Sequence, residues 1–135
     1  MPEKATERRA KAALRNGKKP TTAAGEFVRE EIEHVRRGKH GARSTKQAIA
    51  IGLSKARRAG IPLKPPKQGQ ASRRTRRSAE AAYEVGQRKR KPRAPSRRRS
   101  AASERALKRE GKAAASRRAL SSQARRAAAR RRSRR

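Results

Sequence analysis

Gly38 to Thr45, in the order GKHGARST, is where glycine, lysine, serine and threonine gather as they do in a phosphate-binding loop. Such a loop needs G-x-x-x-x-G-K-[ST] after a buried strand, so that its amides wrap the phosphates, its lysine reaches them and its hydroxyl holds magnesium. Here glycine and lysine come first, and Ser44 and Thr45 follow Arg43. The order argues against nucleotide hydrolysis and leaves a simpler expectation. Ser44, Thr45 and Lys46 open a helix whose free amides, flanked by Lys39 and Arg43, suit one phosphate oxygen.

His34 and His40 are the only histidines, and there is no cysteine. A zinc site would therefore need carboxylates such as Glu30 or Glu31 as further ligands. The expectation is two surface histidines, no metal and no cofactor. Serine is abundant, but nothing in the sequence groups a serine with a histidine and an acid as nucleophilic catalysis requires. No catalytic residue is expected, and the protein is expected not to be an enzyme.

The charge is the strongest functional signal. Lysine and arginine number 43 against 10 acids, a net charge of +33. Residues 64–135 hold 27 of the basic groups, 21 of them arginine, and only four acids. Guanidinium favours paired hydrogen bonds to phosphate, and this charge far exceeds what solubility asks for. The expected phosphate contacts are Arg73, Arg74, Arg76 and Arg77, then Arg88, Lys89 and Arg90, then Arg97, Arg98 and Arg99, and finally Arg130, Arg131 and Arg132. Lys46, Arg57 and Arg58 would extend them onto the preceding helix. Phe27 and Tyr83 are the only aromatic residues, so a stacking platform for single strands is absent. The expected partner is nucleic acid, duplex DNA ahead of RNA, held by its backbone without base readout. Two alternatives stand beside it: a binder of structured RNA such as ribosomal RNA, and a protein-interaction module whose tail only localises it.

The elements that would position these groups can be read from stop signals and periodicity. LRNGK, VRRGK, RRAG and KREGK each place a glycine behind a basic last turn, the pattern of a helix C-terminus. Helices are predicted over about 6–16, 23–37 and 45–59, with the last two joined as an αα-hairpin. Ala24, Val28, Ile32 and Val35 form one stripe with Phe27 at its edge; Ala48, Ile49, Gly52, Leu53, Ala56 and Ala59 form the other. Lys46, Ala50, Ser54 and Arg57 take the opposite face, and Ile51 falls off the stripe. Gly52 is expected to admit a close approach by the preceding helix. Ser44 and Gln47 have capping-box spacing. Glu26, Glu30, Glu31 and Glu33 would repel phosphate, which makes their helix scaffold or partner surface, with Glu30–His34 and Glu33–Arg37 as i,i+4 pairs.

Pro62, Pro65 and Pro66 mark an extended linker. Beyond it a helix is expected near 78–88, and the rest lacks an apolar face, so the tail is expected to be largely disordered with transient helices. The fold class is therefore mainly α: a small helical hairpin at 21–61, with a basic N-terminal helix or arm at 1–20 available as a third helix, a linker at 62–72 and a basic tail at 73–135. A protein partner or a homodimer would use the hairpin, Ile51 first. No apolar run is long enough for a membrane span, and MPEKATERRAKAAL lacks the apolar core of a secretory signal, so no membrane partner and a cytoplasmic location are expected.

The phrase GKHGARSTKQAIAIGLSKARRAG, with the acidic helix before it, resembles a small bacterial domain family of unknown function found in short basic proteins, over about residues 26–60. The resemblance implies a bacterial source but carries no activity or site residue; together with the expected DNA binding, that source makes the expected location the bacterial nucleoid. The tail is similar in composition to those of linker histones and bacterial histone-like proteins, a likeness that implies a nucleoid-associated role. RKRKPRAPSRRR resembles the AT-hook only in part, because Ala94 and Pro95 stand where glycine and arginine would enter the minor groove.

Overall fold

In the computed structural model, which describes residues 2–134, the chain is mainly helical. The helices are α1 (Lys4–Arg15), α2 (Pro20–Arg36), α3 (Thr45–Arg58), α4 (Arg73–Gly86), α5 (Arg97–Arg109) and α6 (Arg117–Ser133), with a 3-10 turn at Ala113–Ala115. No strand occurs among the described residues, apart from one isolated bridge between Gln68 and Ala71. α2 begins earlier than predicted because Pro20, whose missing amide costs nothing in a first turn, starts it.

The expected disorder of the tail is corrected, since α4, α5 and α6 are regular helices. Each begins with Ser-Arg-Arg, at Ser72, Ser96 and Ser116. Each serine oxygen accepts from the amide three residues on: Thr75 at 3.2 Å, Arg99 at 3.2 Å and Ala119 at 3.1 Å. Such a cap contributes about 1 kcal/mol. The long alanine and arginine content then propagates the helix at little cost in side-chain entropy.

The chain divides into two compact units, and the boundary falls within α2 and again within α3. The first comprises Met1–Glu30 and Ala50–Ala94. Its core is Ala10, Ala23, Ala24, Phe27, Ala56 and Ile61, edged by Leu14, Leu53 and Leu63. Ile61 ends the predicted hairpin inside the core, and Leu63 shows that the start of the predicted linker packs against it. Gly52 has the close neighbour expected of it: a β-carbon there would lie 2.7 Å from the Cα of Val28. Two of the acids on α2 are taken up by α1. Glu30 accepts from the Glu3 amide at 2.6 Å and the Thr6 hydroxyl at 3.0 Å, so it serves the start of α1, while Glu26 pairs with Arg9 at 3.0 Å.

α4 ends in an unusual way that follows from packing. A β-carbon at Gly86 would fall inside the carbonyl of Arg57. Gly86 is thus consumed by a close approach, and the left-handed turn that finishes α4 falls on Arg88, with φ +60. The turn closes as Lys89 donates to the Glu84 carbonyl at 2.9 Å. α1, α2 and α3 instead finish on Gly17, Gly38 and Gly60 at φ +77, +78 and +99, three of the four predicted stops. α5 stops at Arg109 with an extended Glu110 rather than a left-handed Gly111.

The second unit comprises Glu31–Ile49 and Pro95–Arg135. Ile32, Val35, Ala42, Thr45 and Ala48 are buried, as are Ala114 and Ala115; no other described residue beyond Pro95 is buried. The tail is held by backbone groups in place of apolar side chains. Arg36 Nε donates to the Ala115 carbonyl at 2.9 Å, the Thr45 hydroxyl to the Ala114 carbonyl at 2.6 Å, and the Gly41 amide to the Leu107 carbonyl at 2.8 Å. Gly41 has no room for a β-carbon against the Glu110 carbonyl.

Two substitutions two residues apart should act in opposite directions. Gly86→Ala is expected to destabilise the protein by about 1–3 kcal/mol through overpacking. Arg88→Gly is expected to stabilise it by about 1 kcal/mol by relieving the left-handed arginine. Denaturant melts of both variants check the pair; equal signs would show that the α4 terminus is not built this way.

Candidate nucleic-acid interface

The basic side chains gather in separate places within each unit. In the second, Ser44, Thr45 and Lys46 at the start of α3 line a cleft of about 480 Å³ with Gln123, Arg126 and Arg130 of α6. No acid lines it. The fold thus joins Lys46 to Arg130, which stand far apart in the sequence, and adds Arg126, which sequence reasoning missed. The 14-residue α3 directs the positive end of its dipole here.

The hydroxyls of the GKHGARST phrase have structural duties. Ser44 Oγ accepts from the Gln47 amide at 3.2 Å, and the Gln47 carboxamide reaches the Arg43 amide at 2.7 Å, one residue before the position expected of a capping box. Thr45 is buried and its hydroxyl is spent on Ala114. The contact expected of Thr45 is through its backbone amide, to which this hydroxyl adds nothing. Lys39, Arg43 and Lys46 are exposed.

Arg57 is corrected as a phosphate contact. It is 7% exposed, and its guanidinium donates from Nε to the Leu63 carbonyl at 3.1 Å and from Nη2 to the Lys64 carbonyl at 3.3 Å. Burial lowers its pKa from the ordinary value, though an arginine stays charged. Helical periodicity put Arg57 on the polar face of α3; the returning chain after Pro62 covers the C-terminal end of that face, while Lys46 and Ala50 stay exposed. Arg58 remains exposed and lines a cleft of about 250 Å³ with Arg90, Lys91 and Arg93. Arg88, Lys89 and Arg90 line a neighbouring cleft of about 370 Å³ with Lys91. Lys91 and Arg93 were missed, although they continue the same basic run. Arg90 is partly engaged, its Nε 2.8 Å from Glu84.

Most of the remaining expected contacts fall at helix ends. Arg73 and Arg74 begin α4, and Arg97, Arg98 and Arg99 begin α5. Arg117 and Arg118, not singled out from the sequence, begin α6. None of these three helices has an acid in its first turn. Cations therefore sit at the positive end of each helix dipole, an arrangement that costs about 0.3–1 kcal/mol per charge when no anion is present. Arg76 is half-buried and Arg77 exposed on α4, while Arg130, Arg131 and Arg132 are exposed on the last turn of α6.

The histidines also depart from expectation. Their side chains are only 12% and 18% exposed and meet the buried carboxylate of Glu31, His34 through Nδ1 at 3.7 Å and His40 through Nε2 at 3.2 Å. The i,i+4 pair of Glu33 with Arg37 is present at 3.8 Å. No helix among the described residues is long and apolar enough to cross a membrane. Comparison with protein-family models, curated proteins and solved structures gives no match.

Two outcomes follow from these placements. Arg57→Ala is expected to lower stability by about 1.5–3 kcal/mol, the cost of losing hydrogen bonds from a charged group, while leaving the salt dependence of any polyanion binding unchanged. Replacing Lys46, Arg126 and Arg130 together by glutamine is expected to raise the melting temperature at low ionic strength, with the gain vanishing as added salt screens the repulsion. Thermal melts across a salt series read both the sign and its disappearance.

Proposed function

We propose that this protein is a non-enzymatic, nucleoid-associated binder of duplex DNA that neutralises phosphates without reading bases. The observation that carries the proposal is the placing of arginine in the first turns of α4, α5 and α6, where the helix dipole is already positive and no acid compensates. Such ends are strained electrostatically in the free protein. A phosphate relieves both the dipole and the guanidinium charge, and it completes the amide donors left open at a helix start.

The cleft formed by Lys46, Arg126 and Arg130 supplies a further anchor of the same sign. Phe27 is fully buried and Tyr83 half-buried, so base stacking has little to work with. A regular duplex backbone, with charge at short intervals, matches several basic helix ends better than an unstacked strand does. The docking alternative, in which the acidic helix binds a protein, loses part of its surface because Glu26 and Glu30 are occupied by α1.

A titration of duplex DNA by fluorescence anisotropy across a salt series tests the proposal. Neutralising about ten phosphates gives a slope of log K against log salt near −9. A slope shallower than about −3 would mean that few phosphates are engaged, and the proposal would fail. Duplex RNA of equal length serves as competitor; preferential displacement by RNA would favour structured RNA as the partner.

A further inference from the structure

We propose that Glu31, His34 and His40 form a binding site for a divalent transition metal ion, zinc by the chemistry of its donors. Glu31 and His34 lie three residues apart on the last turns of α2, which puts both on one face. Gly38, with φ +78, then reverses the chain as Lys39 donates to the His34 carbonyl at 3.0 Å. The reversal brings His40 back onto the same carboxylate. One ligand atom from each of the three residues lies within 4.8 Å of the other two. Zinc bonds of about 2.0–2.2 Å place neighbouring ligands about 3.4 Å apart, a change that small side-chain rotations accommodate.

The orientation of His40 favours a cation at this point. Its Nδ1 lies 2.9 Å from the Gly41 carbonyl. A carbonyl only accepts, so Nδ1 carries a hydrogen and donates. In the neutral ring Nε2 is then a lone pair, and it faces Glu31 Oε2 at 3.2 Å. A lone pair facing a carboxylate oxygen at that distance is an arrangement that a shared cation completes, and the fully buried Glu31 also faces Nδ1 of His34, so one divalent ion would take a donor atom from all three residues. The hydrogen bond from Nδ1 to a backbone carbonyl is also how metal-bound histidines are commonly held in the required tautomer.

Two imidazoles and one carboxylate suit zinc, with water in the fourth position. The ion would fasten the turn between α2 and α3, the segment that carries Lys39 and Arg43. This inference stands apart from the nucleic-acid proposal, since none of the three residues is assigned to phosphate.

The experiment uses the untagged full-length chain. Zinc chloride is titrated while the imidazole signals are followed by NMR, which is direct because the protein has only two histidines. Both rings are expected to shift together and to saturate at one equivalent. Calorimetry on His34→Ala, His40→Ala and Glu31→Gln is expected to show affinity reduced by about tenfold or more in each, at least the loss seen when a supporting contact of a metal ligand is removed. Cobalt(II) should give the visible absorption of a low-coordinate site in the wild type and lose it in the variants. If neither or only one ring responds to zinc, the three-residue site is overturned. It is likewise overturned if the His34→Ala/His40→Ala double variant retains helical circular dichroism and binds zinc as the wild type does.

Discussion

Backbone approaching backbone is the constraint on which this structure depends. At Gly86 the chain comes so near the Arg57 carbonyl that no β-carbon fits, and at Gly41 it does the same against Glu110. A chain with few large apolar side chains cannot hold its elements apart at the usual 8–10 Å between helix axes and fill the space. Glycine and alanine bring the helices closer and let carbonyls and amides meet directly. The core of the first unit is accordingly one phenylalanine and one isoleucine among four alanines. The consequence reaches the end of α4, where Arg88 accepts the left-handed conformation because the glycine that would relieve it is already used.

The same economy governs the tail. α5 and α6 bury no side chain of their own. What anchors them is the short turn between them, whose carbonyls receive the Thr45 hydroxyl and the Arg36 guanidinium. Serine caps then fix where each helix begins. Because the serine is followed by arginines, every one of these starts concentrates positive charge where the helix dipole is positive too. The feature that orders the tail is thus also the feature that makes it electrostatically incomplete without an anion, and structure leads to proposed function through that one coincidence.

Acids are few, and several have internal duties. Glu30 serves the start of α1, Glu26 pairs with Arg9, and Glu31 gathers both histidines. A helix that reads in sequence as an acidic face for a partner is in part an internal counter-charge. A buried carboxylate needs donors or cations beside it; Glu30 takes its donors from the start of α1, and Glu31 has the two histidine rings next to it.

The sequence by itself determined the first three helices, their glycine stops at Gly17, Gly38 and Gly60, the tight spot at Gly52 and the large excess of positive charge. Those features are local: periodicity, capping and composition act over a few residues, so they can be read without knowing what lies across the fold. The Ser-Arg-Arg starts of α4, α5 and α6 also stand in the sequence but went unread, because a serine cap alone does not announce a helix that lacks an apolar face. Only the tertiary structure decided that Thr45 and Arg57 are spent on carbonyls, that Lys46 meets Arg126 and Arg130, and that two histidines converge on Glu31. Each of these depends on which segment returns to cover a given face. That return is set by backbone contacts at glycine and alanine, which leave almost no mark in the pattern of large apolar residues from which a fold is ordinarily read.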